Sequence, residues 1–134
     1  MKKSSSTLLS LVGTVTLALV GSCFGGDLAP ADQQFLAGYE KARASLAADD
    51  LAGAKAAASS LGASGSALAA SSSLNDARAA FEKLSDNAKK LSKGQSGYYV
   101  VHCSMLKKDW VQTSTDIGNP YGGKEMAECG EVVK

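Results

Sequence analysis

Alanine is distributed unevenly along this chain of 134 residues, and the unevenness divides it into two parts. Twenty alanines lie between Ala29 and Ala88, whereas none lies between Lys89 and Glu125. Because alanine has the highest intrinsic helix propensity, the first part is expected to be helical. The later part holds four of the eight aromatic residues and many turn formers, which predicts a different kind of structure there.

Three helices are predicted in the alanine-rich part, each from apolar residues that recur with a helical period. The first begins after Pro30 and ends at Asp49 and Asp50, which also supply an N-cap for the second. The third has the most regular spacing and stops near Gly94. The serine-, alanine- and glycine-rich stretch 59–73 is expected to be a helix end followed by a loop. The predicted buried positions are Phe35, Leu36, Tyr39, Ala42 and Leu46, then Leu51, Ala54, Ala58 and Leu61, then Leu74, Ala77, Phe81, Leu84, Ala88 and Leu91.

The pattern changes after Gly97. Residues 98–103 are aromatic and β-branched, which predicts a strand, and residues 130–133 could form a short partner strand. Trp110, Tyr121 and the Asn119-Pro120 pair are expected to fix this tail against the helices. The predicted fold is therefore mainly α: an antiparallel three-helix bundle with a C-terminal strand and loop segment packed on it.

The first residues are typical of a bacterial lipoprotein export signal. Lys2 and Lys3 precede an apolar stretch of about 14 residues, which is shorter than the roughly 20 that span a bilayer. Residues 20–23, VGSC, resemble a lipobox, which predicts lipidation of Cys23. We expect a signal peptide over 1–22, a tether over 23–30 and one domain over 31–134. Phe24, rather than an aspartate, follows the cysteine, which favours the periplasmic side of the outer membrane over the inner membrane.

Several classes of function are disfavoured by the composition. The 14 Lys and Arg residues are balanced by 13 Asp and Glu residues and form no dense basic block, so no nucleic-acid partner is expected. The sequence contains no CxxC, HExxH, GxSxG or phosphate-binding glycine loop. Adjacent strand residues such as His102 and Cys103 point to opposite faces, so they do not form a nucleophile–base pair. We therefore expect that the protein is not an enzyme.

Four sulfur atoms form the main candidate site. Cys103 and Met105 would share one face of the predicted strand, while Met126 and Cys129 would lie on one side of a helical turn. Thiolates and thioethers are soft ligands that select Cu(I), and by the same reasoning Ag(I), so these residues could bind such a metal. His102 is an additional candidate ligand, although a partly buried or surface histidine is expected there, because the side chain would have to swing to reach the sulfur face. A Cys103–Cys129 disulfide is the alternative to a metal site. It suits an exported protein, and it excludes the metal because it consumes both thiolates.

Several tail motifs, together with an ADDLA sequence at residues 48–52, resemble an uncharacterised bacterial domain family. The tail motifs are YVVHCSM at 99–105, WVQ at 110–112, IGNPYG at 117–122 and MAECGEV at 126–132. Members of that family occur as standalone exported proteins and attached to periplasmic adaptor subunits of copper and silver efflux pumps. The resemblance covers roughly residues 32–134. This chain differs from the family pattern at Ser104, where the family usually has proline. Its segment before Trp110 is also shorter than in many members of the family.

This resemblance implies an envelope role connected with heavy metals and, as partners, components of a heavy-metal efflux adaptor. Together with the sulfur residues, it leads to the hypothesis of a membrane-tethered, non-enzymatic periplasmic protein that binds Cu(I) or Ag(I), or assists its efflux. The alternative hypothesis is a structural or interaction module that has the Cys103–Cys129 disulfide and binds no metal.

Overall fold

A computed structural model describes residues 27–133, in which helices are followed by a small antiparallel sheet. The predicted signal peptide and the predicted lipidation site at Cys23 lie outside the described residues. The prediction of a mainly α fold with a C-terminal strand segment is confirmed. In chain order, the elements are α1 (Pro30–Ala47), α2 (Leu51–Ala57), a 3-10 helix (Ala58–Gly65), α3 (Ser66–Ala69), α4 (Leu74–Leu91), β1 (Tyr99–Cys103), β2 (Lys108–Gln112), a second 3-10 helix (Gly123–Met126) and β3 (Glu131–Val132).

The two long helices begin at the positions that the local sequence favours. Pro30 is the first residue of α1, where its missing N–H is not needed by the helix. The Ser73 hydroxyl accepts a hydrogen bond from the Asp76 backbone nitrogen at 3.1 Å and caps α4. The predicted apolar faces are buried, except that Leu51, Leu74 and Leu91 are only partly buried.

Helices α1 and α4 run antiparallel and contact each other along their apolar faces. The rings of Tyr39 and Phe81 stack with their centroids 4.6 Å apart near the middle of both helices. Further along α1, the Arg78 guanidinium near the start of α4 donates to the Leu46 carbonyl oxygen at 3.2 Å. The beginning of α1 is therefore at the same end of this helix pair as the end of α4.

The connection between α1 and α4 is more helical than predicted. Asp50 caps α2 as expected, since its side chain accepts a hydrogen bond from the Gly53 nitrogen at 2.9 Å. Residues 58–69 are helical, however, so the predicted loop is wrong for most of 59–73 and is confined to the four residues before α4. Gly62 has a φ of 58°, which bends the chain between two helical turns in a conformation that most side chains disfavour.

The sheet has the order β2-β1-β3, and both outer strands are antiparallel to β1. Strand β1 and the short β3 were expected, whereas β2 was not. Its sequence, KDWVQ, lacks the alternation of apolar and polar residues that signals a strand. The fully buried Trp110 lies opposite Val101, and both side chains face the chain around Gly130. A Cβ on Gly130 would lie only 2.8 Å from each, so glycine is required for this close approach.

Candidate functional site

Cys103 and Cys129 form a disulfide in this structure, with their Cα atoms 5.7 Å apart. Cys103 is the last residue of β1 and is fully buried, whereas Cys129 follows the second 3-10 helix and is partly exposed. The bridge joins the central strand to the C-terminal segment across 26 residues of sequence. Of the two alternatives for this pair, the disulfide is the one that the structure contains.

Asn119 holds the backbone that leads to Cys129. Its side chain is fully buried, and its Nδ2 donates to the Cys129 carbonyl oxygen at 2.9 Å. Its Oδ1 accepts hydrogen bonds from the backbone nitrogens of Tyr121 and Gly122, each at 2.9 Å. One side chain thus satisfies three backbone groups within an otherwise irregular segment and holds the tail together, whereas contacts to the helices come from other residues.

The only two arginines in the sequence attach this segment to the helices. Arg43 of α1 donates to the Gly118 carbonyl oxygen at 2.8 Å, and Arg78 of α4 donates to the Pro120 carbonyl oxygen at 2.9 Å. Glu40 and Asp49 pair with these two guanidinium groups at 2.7 and 2.6 Å. Neither arginine was among the residues predicted from the sequence to have a role, although the rarity of arginine beside 12 lysines was a usable signal.

Asp49 also has a second partner in the segment. Its carboxylate accepts a hydrogen bond from the Lys124 backbone nitrogen at 3.1 Å, at the start of the second 3-10 helix. This bond, together with that from Arg78, holds the pKa of Asp49 below its usual value. Asp49 therefore ends α1, pairs with α4 and orients the C-terminal segment.

The two methionines lie in different surroundings. Met105 is in the turn between β1 and β2 and is 75% exposed. Met126 is partly buried against the core and lines a shallow surface depression together with Cys129. The Cys129 backbone nitrogen donates to the Met126 carbonyl oxygen at 2.9 Å, so the expected helical turn joins these two residues. Met105 does not line that depression.

His102 lies on the face of β1 opposite to Cys103 and is half-buried, as expected. Its Nδ1–H donates to the Asp109 carboxylate across the strand pair at 2.6 Å. This hydrogen bond, assisted by one from Lys89, holds the pKa of Asp109 below its usual value. Across residues 27–133, no three His, Cys, Asp or Glu side chains are grouped so as to hold a metal ion.

The disulfide determines which of the four candidate sulfur atoms are available as ligands for a soft metal. A bridged cysteine sulfur is not a thiolate, so the disulfide removes two of the four soft ligands that a Cu(I) or Ag(I) site of this kind would use. The residues therefore do not fit a four-sulfur metal site while the bridge is formed. Only a reduced chain could offer Cys103 and Cys129 as ligands.

A surface cavity lies at the end of α4, away from the disulfide. It has a volume of about 660 Å³ and is lined by residues of the last turn of α4 and of the loop that leads into β1. Lys89, Lys93, Tyr98 and Tyr99 are among its lining side chains. None of its lining residues is acidic.

Comparison with known proteins finds no matching family model, no matching curated protein and no matching solved structure. Within the part of the chain that the structure describes, no helix is both long enough and apolar enough to cross a membrane.

Proposed function

We propose that this protein is a lipid-tethered, non-enzymatic domain on the periplasmic side of the bacterial envelope that acts as a structural or interaction module. The Cys103–Cys129 disulfide is the observation that carries this proposal. Disulfides persist in oxidising compartments, and the periplasm is one of them. The lipobox-like sequence at residues 20–23 supports the same compartment and supplies the tether through Cys23.

The bridge supports a structural role because of the segment that it closes. Between Gln112 and Cys129 the chain has one 3-10 turn and otherwise no regular structure. Its backbone depends on Asn119, Arg43 and Arg78 for hydrogen bonds. A covalent link at its end restricts the unfolded chain and keeps this segment against the helices.

The non-enzymatic part of this proposal is supported by the interactions of the two cysteines and of His102. The thiols of Cys103 and Cys129 are consumed by the bridge, and the His102 imidazole pairs with Asp109. A carboxylate can orient a histidine as a general base, but a cysteine–histidine mechanism also needs a free thiolate beside the imidazole. Neither cysteine is available to be that nucleophile while the bridge is intact.

We also infer that α1, α2 and α4 form one antiparallel three-helix bundle. Helix α1 is antiparallel to α4, as the Tyr39–Phe81 and Arg78–Leu46 contacts indicate. Helix α2 follows α1 through a three-residue connection, Ala48 to Asp50, which supports an antiparallel arrangement of those two helices as well.

Binding of Cu(I) or Ag(I) by the reduced protein is a second candidate function. The specific observation in its favour is that Met126 and Cys129 line the same depression, so that reduction would place a thiolate near a thioether. In this proposal Cys103 is a further ligand, Met105 would have to move toward the site, and heavy-metal efflux adaptor components are the candidate partners.

The deciding experiment combines the mass of the purified mature protein with a Cu(I) competition titration. The structural proposal expects the protein to be two hydrogens lighter than its reduced form and to stay so when Cu(I) is added. The titration is repeated on reduced wild type, Cys103→Ser and Met126→Leu. Sub-micromolar binding that is lost in both variants would favour the metal function, whereas equally weak binding by all three would support the structural role.

A further inference from the structure

The cavity at the end of α4 is part of a surface with both basic and apolar side chains. We call it the loop-end surface and define it by Lys89, Lys93, Tyr98, Tyr99, Val100 and Val133. Lys93 is exposed, the two tyrosines and Val100 are half-buried, and Val133 is 57% exposed. Val133 belongs to this surface because its backbone nitrogen donates to the Val100 carbonyl oxygen at 2.9 Å.

The loop-end surface lies at the end of the domain from which the tether leaves. Because α1 and α4 are antiparallel, the last turn of α4 is at the same end of the domain as the first turn of α1. Only the six residues 24–29 separate Cys23 from Pro30. Six or seven residues reach at most about 25 Å even when fully extended, so a lipid on Cys23 would keep this end near the bilayer.

The side chains of this surface suit the boundary between lipid headgroups and acyl chains. Tyrosine has an apolar ring and a polar hydroxyl, and it is enriched at membrane–water interfaces. Lysine can place its ammonium among phosphate groups while its methylene stem contacts apolar surface. An exposed valine beside them adds apolar area that a bilayer would bury.

The neighbouring charges indicate which lysine side chains can attract anionic lipid. Lys89 already pairs with Asp86 and Asp109, at 3.2 and 3.3 Å, so its charge is partly compensated. Asp27 and Asp32 carry negative charge near the start of α1 and oppose attraction to anionic lipid. Lys93 is exposed within the cavity lining, which contains no acidic residue. Any electrostatic attraction should therefore depend on Lys93, together with Lys90, an exposed lysine of the last turn of α4 three residues before it.

We propose that the loop-end surface docks on a bilayer that contains anionic phospholipid, so that the domain lies against the membrane rather than free at the end of its tether. This inference rests on the proposed tethering at Cys23 for its biological setting. Docking would place the first residues of β1 at the membrane, while Cys103 and the disulfide lie at the other end of that strand.

The test uses the acyl-free mature chain, residues 23–134, carrying Cys23→Ser so that the tether contributes no binding. The protein is sedimented with vesicles of phosphatidylcholine alone or of phosphatidylcholine mixed with phosphatidylglycerol. Stronger binding to the anionic vesicles, weakened by salt, is expected. Lys93→Gln should lower the partition coefficient about fivefold, the effect typical of one lysine near an anionic surface. The matched control Lys55→Gln, on an exposed position of α2, should leave it unchanged.

A second variant tests the apolar contribution. Tyr99→Ser should weaken binding to anionic vesicles while the helical circular dichroism stays that of the parent chain. No binding to either vesicle, or equal losses for Lys93→Gln and Lys55→Gln, would overturn the proposal. A change in the oligomeric state of Tyr99→Ser without vesicles would instead assign this surface to a second copy of the chain. The mass of the native protein tests the lipid on Cys23 separately, so failure of the tether and failure of docking are distinguishable.

Discussion

The hydroxyl oxygen of Tyr39 in α1 accepts a hydrogen bond from the backbone nitrogen of Val111 in β2, at 3.2 Å. Tyr39 also contacts the Ser85 hydroxyl at 2.8 Å, and Ser85 contacts the Tyr121 hydroxyl at 2.8 Å. Tyr121 in turn donates to the Asp109 carbonyl oxygen at 3.3 Å. Each hydroxyl has one proton, so Ser85 must donate to Tyr121, and Tyr39 must donate to Ser85.

These three hydroxyls form a hydrogen-bonded chain. Both of its ends are on backbone groups of β2, along the edge of that strand that does not pair with β1. An unpaired strand edge exposes backbone groups that can pair with other chains, and buried backbone groups need partners. The hydroxyl chain supplies those partners from two helices and the C-terminal segment. Burial raises the pKa of both tyrosines, so the hydroxyls stay protonated and the chain persists at neutral pH.

Replacing Ser85 with alanine should interrupt this chain and lower the free energy of unfolding by about 1–3 kcal/mol, because Tyr39 loses its acceptor and Tyr121 its donor. Urea unfolding measures the effect. Ser64→Ala, at an exposed position of the first 3-10 helix, is the matched control and should change the value by less than about 0.5 kcal/mol. Tyr39→Phe and Ser85→Ala should also be non-additive in a double-mutant cycle, and simple additivity would contradict a connected chain.

Removing the disulfide with the double change Cys103→Ala and Cys129→Ala should lower the free energy of unfolding by about 3–4 kcal/mol, as expected for a bridge that closes 26 residues. Equilibrium unfolding in urea, with and without reductant, measures this. Reductant should weaken the wild type to the level of the double variant and leave the variant itself unchanged. A wild type that is insensitive to reductant would contradict a stabilising role.

Replacing Arg78 with lysine should release the C-terminal segment while keeping the charge. The guanidinium of Arg78 joins the Leu46 and Pro120 carbonyl oxygens and the Asp49 carboxylate, and a lysine ammonium cannot reproduce that planar geometry. We expect a loss of about 1–3 kcal/mol in the free energy of unfolding. Hydrogen exchange should show faster exchange of the amides between Gly118 and Lys124. Lys83→Arg, at an exposed position of α4, should leave that exchange unchanged.

Acid should destabilise the protein through Asp49 and Asp109. Their hydrogen bonds hold the pKa of each carboxyl below its value in the unfolded chain, so the unfolded state binds more protons as the pH falls. The stability that they contribute is therefore present at neutral pH and is lost as the pH falls below about 4.

Urea unfolding at several pH values between 7 and 3 tests this. Asp49→Asn should be less stable at neutral pH and should lose less stability on acidification than the wild type. The exposed Asp116→Asn serves as the control and should keep the wild-type pH profile. The same profile for Asp49→Asn would contradict the assigned role of Asp49.

Helix positions, caps and the buried faces of α1 and α4 follow from the sequence itself, because apolar spacing and capping act over three or four residues. The strand at β1 and its alternation follow for the same reason. Sequence reasoning also identified Cys103 and Cys129 as the pair to consider. It could not choose between a bridge and a metal, since that choice depends on the distance between residues 26 positions apart.

Other features were decided only by the tertiary structure. Strand β2 exists because β1 pairs along one of its edges and Tyr39 and Tyr121 satisfy the other. The roles of Arg43 and Arg78 depend on carbonyl groups that lie 75 and 42 residues away. Local sequence determined the helices of this protein because their hydrogen bonds are local. The C-terminal segment has few such bonds, so only long-range contacts with the helices could determine its path.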